Sequence, residues 1–332
     1  MPVKNNLDIR FVREQFPALS GEWTFDNAGG SQTLKQVAER VSDYLLSSNV
    51  QLGATYETSR VSTQRVNDGN AVMADYVNAP AKEEIILGSS TSMLLKNISF
   101  SMAEVLQPGD EVIVTNCDHE ANIGPWYGLG RKGIIVNEWK LNPDSLELEL
   151  DDLDNLFTHK TRLVALTHAS NILGTINDIK KISKFVHKRD ACICVDGVAY
   201  APHRQVDVQD LDVDYYAFSF YKVYGPHYSL LYAKKKHLEK LPGINHFFLE
   251  NDIPYKMQPG NVNYELTYSL LGLQDYFTAF AETHGHQPLN LFDAASFAFD
   301  RIAAHEETLS TKFLDFLNSK KNVRIIGKTV PD

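Results

Sequence analysis

The chain has 332 residues, 43% of them apolar, enough for one large domain with a smaller one at roughly 150 residues per domain. Lys plus Arg number 32 against 42 for Asp plus Glu, so the formal net charge of −10 has the wrong sign for gripping nucleic acid through overall charge. Three cysteines (Cys117, Cys192, Cys194) are too few for a disulfide framework, no apolar run approaches the roughly 20 residues of a membrane span, and residues 1–16 lack a charged n-region followed by an apolar stretch; a cytoplasmic protein is expected.

In chain order, the first element is a helix over 33–46 that places Leu34, Val37, Val41 and Leu45 on one stripe. Short β-branched or apolar runs then predict strands at 84–87, 111–115, 133–139, 162–167, 191–195, 215–219 and 229–233. Several are apolar throughout, as strands covered on both faces are. Between them, 177–188 reads as a helix with Ile179, Ile182 and Val186 on one face after an Asn177/Asp178 cap. Strand alternating with helix implies an α/β protein with a parallel sheet covered on both sides. Beyond Tyr264 the pattern turns helical: one helix over 265–282, a loop with His284, Gly285, His286 and Pro288, a long amphipathic stretch carrying Ile302, Leu309, Phe313 and Leu317, and a last strand at 323–326. The expected organisation is an N-terminal segment (1–19) packed on a small domain, a large ligand-binding domain (20–264), and a linker helix with part of the small domain (265–332).

The most informative stretch runs from 191 to 226. One strand ends in Asp196-Gly197, and 26 residues after the aspartate a second strand delivers Ser219-Phe220-Tyr221-Lys222. Groups at the carboxyl ends of neighbouring strands converge on the crevice where α/β sheets bind ligands. A carboxylate and a lysine facing one pocket suit pyridoxal 5'-phosphate: the lysine forms a Schiff base with the aldehyde, and the carboxylate holds the pyridine nitrogen protonated. Alone, a strand-terminal Asp is more often a turn residue, and a lone Lys is nearly always solvated. Gly88-Ser89-Ser90-Thr91-Ser92 follows a strand and opens an apolar helix, offering free N–H groups and hydroxyls to an anion. His119 follows another strand and is placed to stack on a flat ring or move protons, and Asn171 is placed to bond the cofactor's phenolic oxygen. Three patterns are set aside. Gly128-Leu-Gly-Arg-Lys-Gly133 matches G-x-G-x-x-G but precedes a strand, the reverse of the dinucleotide order. Cys192 and Cys194 with His187 lack a second ligand pair, so no metal site is expected. Asn97-Ile-Ser fits a glycosylation acceptor but falls within a helix.

Five ordered motifs carry a family resemblance: Gly88-Ser-Ser-Thr-Ser, Asp118-His-Glu-Ala-Asn-Ile-Gly-Pro-Trp, Thr167-His-Ala-Ser-Asn-Ile-Leu-Gly-Thr, Val195-Asp-Gly-Val-Ala-Tyr-Ala-Pro-His and Ser219-Phe-Tyr-Lys-Val-Tyr-Gly-Pro. From about Phe25 to Gly260 the chain resembles the class V aminotransferases among fold-type I pyridoxal-phosphate enzymes, closest to the cysteine desulfurase-like branch. Phe25-Asp-Asn-Ala-Gly-Gly-Ser-Gln is similar to that family's N-terminal active-site loop. The resemblance implies a mostly parallel seven-stranded sheet with helices on both faces and a small C-terminal α/β domain. It also implies roles: Lys222 as the Schiff-base lysine, Asp196 as pyridinium partner, His119 stacked on the ring, and Asn171 on the phenolic oxygen. Ser89, Ser90 and Ser219 fall at phosphate-binding positions, Thr91 and Tyr221 are further expected cofactor-binding residues, the latter able to donate one hydrogen bond to phosphate, and Asn261 matches a residue that reaches the phosphate from the second subunit of a homodimer. Two positions depart from the pattern: Tyr221 stands where desulfurases commonly carry His, and Ala199 where they carry Gln. The family's substrate-carboxylate arginine and the desulfurases' mobile cysteine are expected beyond Asp332, and none of the three cysteines here matches the latter. The expected function is pyridoxal-phosphate chemistry on an amino-acid substrate; the alternative is a degenerate or truncated homologue that binds the cofactor or only dimerises.

Overall fold

The computed structural model describes residues 7–21 and 26–331. Phe25, at the head of the N-terminal loop motif, lies outside the described residues; the motif's Asn27 to Gly29 form a turn. Seven strands make one sheet in the order β1-β7-β6-β5-β4-β2-β3. They are β1 (Ile85–Gly88), β2 (Glu111–Thr115), β3 (Ile135–Trp139), β4 (Thr161–Thr167), β5 (Cys192–Asp196), β6 (Tyr215–Ser219) and β7 (Ser229–Ala233). β2 through β6 are joined by parallel pairings, and β7 is antiparallel to both of its neighbours, β1 and β6. The fold is the fold-type I architecture expected from the sequence.

Alternation along the strands decides which layer each residue joins. Ile85, Leu87, Ile113, Val164, Leu166, Ile193, Val195, Tyr216 and Phe218 point into one core. Ile86, Val112, Val114, Leu163, Ala165, Cys194, Tyr215 and Ala217 point into the other. The helix Ile179–His187 covers the first face with Ile179, Ile182 and Val186, and Thr91–Met102 covers the second with Leu94, Leu95 and Ile98. Each fully buried Leu, Ile or Val contributes about 2 kcal/mol of transfer free energy, so a strand flipped by one register would forfeit both layers.

Four expectations are corrected. The helix Lys35–Ser47 buries Val37 and Tyr44 rather than Val41 and Leu45; Leu45 is 46% exposed. Its inner face is set by Leu271–Thr283, whose Gly272 admits the Val37 backbone so closely that a Cβ would meet it at 2.6 Å. The expected single helix over 265–282 is Tyr264–Ser269 followed by Leu271–Thr283. Thr267 is pinned at that point by the Tyr228 hydroxyl (3.0 Å) and by Gly69, which leaves no room between the two backbones. The amphipathic stretch is one helix, Leu291–Asn318, but its burial is confined to Leu291, Ala294, Ala295, Ala298 and Phe299, while Leu309 and Phe313 are exposed. Residues 323–326 are not a strand: no strand lies beside them to accept pairing among the described residues, and Val323 and Ile326 are exposed.

Candidate active site

Strand register delivers the site. Thr167 pairs with Asp196, Asp196 with Ala217, Ser219 with Ser229 and Gly88 with Ser229, so the ends of β1, β4, β5 and β6 and the start of β7 meet at one edge of the sheet. There a cavity enclosing about 590 Å³, its open mouth included, is lined by Ser90, Thr91, His119, Asn171, Asp196, Ser219, Tyr221 and Lys222 together with Thr167, Ala121, Val198 and Ala199.

Two of the lining residues, Thr91 and Ser219, belong to a hydroxyl cluster. Thr91 Oγ1 lies 2.8 Å from Ser219 Oγ, which lies 2.7 Å from Ser229 Oγ, and all three residues are buried. Ser90 caps Thr91–Met102 by accepting the Met93 N–H at 3.1 Å, and the start of this 12-residue helix, Ser90 to Ser92, lines the cavity. An anion there meets aligned donors and the positive end of the helix dipole.

The lining also carries one carboxylate, Asp196, with Asp118 close behind it. Asp196 is 3% exposed, and its carboxylate accepts one hydrogen bond, from Val198 N–H to Oδ1 at 2.8 Å. Burial raises its pKa, against the opposing pull of that N–H, His119 and Lys222. Burial also raises Asp118 well above its ordinary value, with the Asp196 charge as second cause. Asp118 accepts from the His119 N–H (2.6 Å) and from Asn122 Nδ2 (2.7 Å), and Asn122 accepts from Trp126 Nε1 at 3.2 Å. This chain holds the loop that carries His119. His119 Nδ1 accepts the Ala121 N–H at 3.1 Å, so the neutral ring carries its proton on Nε2.

Gly197 follows Asp196 for a steric reason: any Cβ there would drive into the Tyr216 ring. Tyr216 in turn holds His168 through an OH to Nδ1 contact of 2.8 Å, and His168 stacks on Tyr200 with centroids 3.5 Å apart. Burial lowers His168 to about 3, so this ring is a neutral spacer under the loop that carries Asn171. Asn171, Ala199 and Lys222 also line a wider cavity that reaches Arg204 and Glu306, which are paired at 2.9 Å.

Two residues expected at the site lie apart from it. Ser89 and Asn261 line a neighbouring cavity with His227 and Gln258, because the extended turn into Thr91–Met102 sends consecutive serines to different sides. The expectation for Asn261 concerns a second subunit and is carried into the proposal below. Sequence reasoning missed Asp118 and Ser229. An acid directly before His119 was one available signal; the ten-residue spacing of Ser219 and Ser229 across an antiparallel pair was the other.

No thiol lines the cavity among the described residues. Burial pushes Cys192 up to about 12 and raises Cys194 and Cys117 as well. Cys192 instead sits at the opposite edge of the sheet, with His237 and Asp214. The 2%-exposed Asp214 side chain takes His187 Nε2 and His237 Nε2 at 2.8 Å each, the Ile193 N–H at 3.0 Å and Lys234 Nζ at 3.3 Å. Those partners hold its carboxyl far below the usual range despite burial.

Residues 23–252 match the family model described as aminotransferase class-V. The chain belongs to the class V aminotransferase family. Members of that family are pyridoxal-phosphate-dependent enzymes. The chain is 43% identical to the aminotransferase-like protein FGM3 of Gibberella zeae, covering 99% of this chain and 80% of that one. It is 34% identical to the cysteine desulfurase-like protein ustD of Aspergillus flavus, covering 100% and 74%. Among solved structures, the cysteine desulfurase CsdA of Escherichia coli superposes with a TM-score of 0.77 at 26% identity, over 95% of this chain and 78% of that one. No helix among the described residues is long and apolar enough to cross a membrane.

Proposed function

We propose that this class V chain binds pyridoxal 5'-phosphate in the cavity at the carboxyl edge of the sheet and acts on an amino-acid substrate, with Lys222 as the covalent anchor. The observation that carries the reading is the lining of one cavity, which brings together a hydroxyl cluster at a helix N-terminus, a buried carboxylate with spare acceptor capacity, and Lys222. The residues fit the group. A phosphate monoester matches Ser90, Thr91, Ser219 and the Tyr221 hydroxyl; a protonated ring nitrogen matches Asp196, which otherwise pays for burial with one N–H partner. Bound pyridoxal phosphate supplies an aldehyde that condenses with amines and a ring that takes up the electron pair released at the substrate α-carbon.

This chain's own residues do the rest. Asp196 stays ionised when a cationic N–H faces it, since an opposite charge at hydrogen-bond distance offsets its desolvation. His119, held by the Ala121 N–H and lining the same cavity, would pack against the ring and present the proton on Nε2 to it. The Asn171 amide, which lines the same cavity, would donate to the phenolic oxygen. Lys222 Nζ would hold the aldehyde and, as a free amine, would move the proton at the substrate α-carbon. Asn261 reaches the phosphate of a partner subunit in a homodimer.

Titrating purified protein with pyridoxal phosphate while recording visible absorbance tests the reading. The wild type should gain a band near the visible edge that Lys222→Ala lacks, and that band should shift when an amino-acid substrate is added. Absence of any lysine-dependent band would overturn the cofactor assignment.

A further inference from the structure

Besides the Tyr221 phenol, the ionisable side chains lining the cavity are His119, Asp196 and Lys222, and no arginine is among the described lining residues. Lys222 is committed to the aldehyde in the reading above, so the anion is left to neutral hydroxyl and amide donors. Neutral hydrogen bonds are roughly half as strong as charge-assisted ones, which makes affinity depend on how well the donors are held in place.

Tyr221 is the bulkiest of those donors, and its hydroxyl has no hydrogen-bond partner in the protein among the described residues. Burial and the nearby Asp196 charge raise its pKa, so it remains an O–H donor. Its backbone is fixed: the Ser31 N–H and Oγ–H both donate to Tyr221 O, at 2.9 and 3.1 Å. Its ring is fixed by something else. Residues 220–228 fold back on themselves, with Phe220 N–H donating to Tyr228 O at 2.8 Å and Tyr228 N–H to Pro226 O at 2.8 Å. That closure lays the His227 imidazole on the Tyr221 ring, centroids 5.3 Å apart and planes 11° from parallel. Gly30 also abuts the phenol: a Cβ there would come within 3.1 Å of its Cδ2. His227 itself lines the neighbouring cavity with Ser89 and Asn261, not the one that holds Lys222.

We propose that His227 is a positioning residue for anion recognition: stacked on Tyr221, it holds the phenol so that its hydroxyl donates to the phosphate monoester at Ser90, Thr91 and Ser219. The inference rests on the cofactor reading and extends it to a residue that touches no ligand. Tyr221 and His227 then act as one unit in a place where related desulfurases commonly use a single histidine next to the lysine.

The test is equilibrium binding of pyridoxal phosphate and of pyridoxal, which lacks the phosphate, to wild type, His227→Ala, His227→Phe, Tyr221→Phe and the Tyr221→Phe/His227→Ala double variant. His227→Ala should weaken pyridoxal phosphate by about 10-fold and leave pyridoxal within about twofold. His227→Phe, which keeps the stack, should restore affinity. Tyr221→Phe should match the His227→Ala loss, and the double variant should be no weaker than Tyr221→Phe alone. Equal losses for both ligands, no loss in His227→Ala, or fully additive losses in the double variant would overturn the inference. A wild type that binds neither ligand would instead overturn the cofactor reading beneath it.

Discussion

Two buried aspartates on adjacent strands meet opposite treatment. Asp196, at the carboxyl end of β5, has one N–H partner and a pKa raised by burial; Asp214, immediately before β6, has two histidines, Lys234 and an N–H, and a pKa held far below the usual range. Hydrogen-bond partners gather on the carboxylate that ties a strand to two helix histidines, and the other is left wanting one. A buried carboxylate short of donors is destabilising by itself, and that is the signature of a group waiting for a ligand.

The largest expected effect breaks the pair on the functional side. Asp196→Asn should cut turnover by about 10³-fold, because the amide no longer favours a protonated ring nitrogen. The same change should leave unfolding free energy unchanged or raised by up to about 1 kcal/mol, since it removes a buried charge with little compensation. Denaturant unfolding and steady-state rates read both; a loss of stability above about 2 kcal/mol would erase the contrast.

Asp214→Ala should do the reverse, costing about 3 kcal/mol by stranding His187, Lys234 and His237, while the folded fraction binds pyridoxal phosphate as before. Unfolding curves monitored with and without cofactor would show it. Acid then sharpens the comparison. Asp214 is depressed in the fold, so its contribution is fully present above the unfolded value near 3.9 and is lost as pH falls below it; Asp214→Asn should flatten that acid limb. Asp196 and Asp118 are raised, so they favour the fold at low pH and lose that contribution as pH climbs from about 3.9 through their folded values; Asp118→Asn should flatten that decline. The smallest effect serves as control. Arg60→Ala removes an exposed pair with Glu57 and should shift stability by less than about 0.5 kcal/mol.

Much of the carboxyl edge was legible because its residues sit in short ordered motifs directly after strands. Strand patterns 111–115, 215–219 and 229–233 are found with those bounds, while the run expected at 191–195 is shifted by one residue and takes in Asp196, which pairs with β4 and β6. The amino edge was opaque. Asp214, His187 and His237 stand far apart in sequence and converge only through register, so no local pattern announces them. The helix Glu57–Tyr76 escaped for a related reason: it buries Ser59, Ser62, Gly69 and Asn70 alongside its apolar residues, and that mixture hides a 3.6-residue period. The apolar run at 323–326 reads as a strand by composition, but a strand needs a neighbour and those residues have none among the described ones. Ser89 and Ser90 show the finest limit: adjacent in one motif, they face different cavities because of a single extended residue before the helix.

The central claim is that the cavity between the hydroxyl cluster and Asp196 is where Lys222 holds pyridoxal phosphate. Borohydride reduction of the protein incubated with the cofactor, followed by peptide mapping, tests it most directly. The account predicts a single stable pyridoxyl label on Lys222 that disappears in Lys222→Ala. A label on another lysine, or none at all, would contradict it.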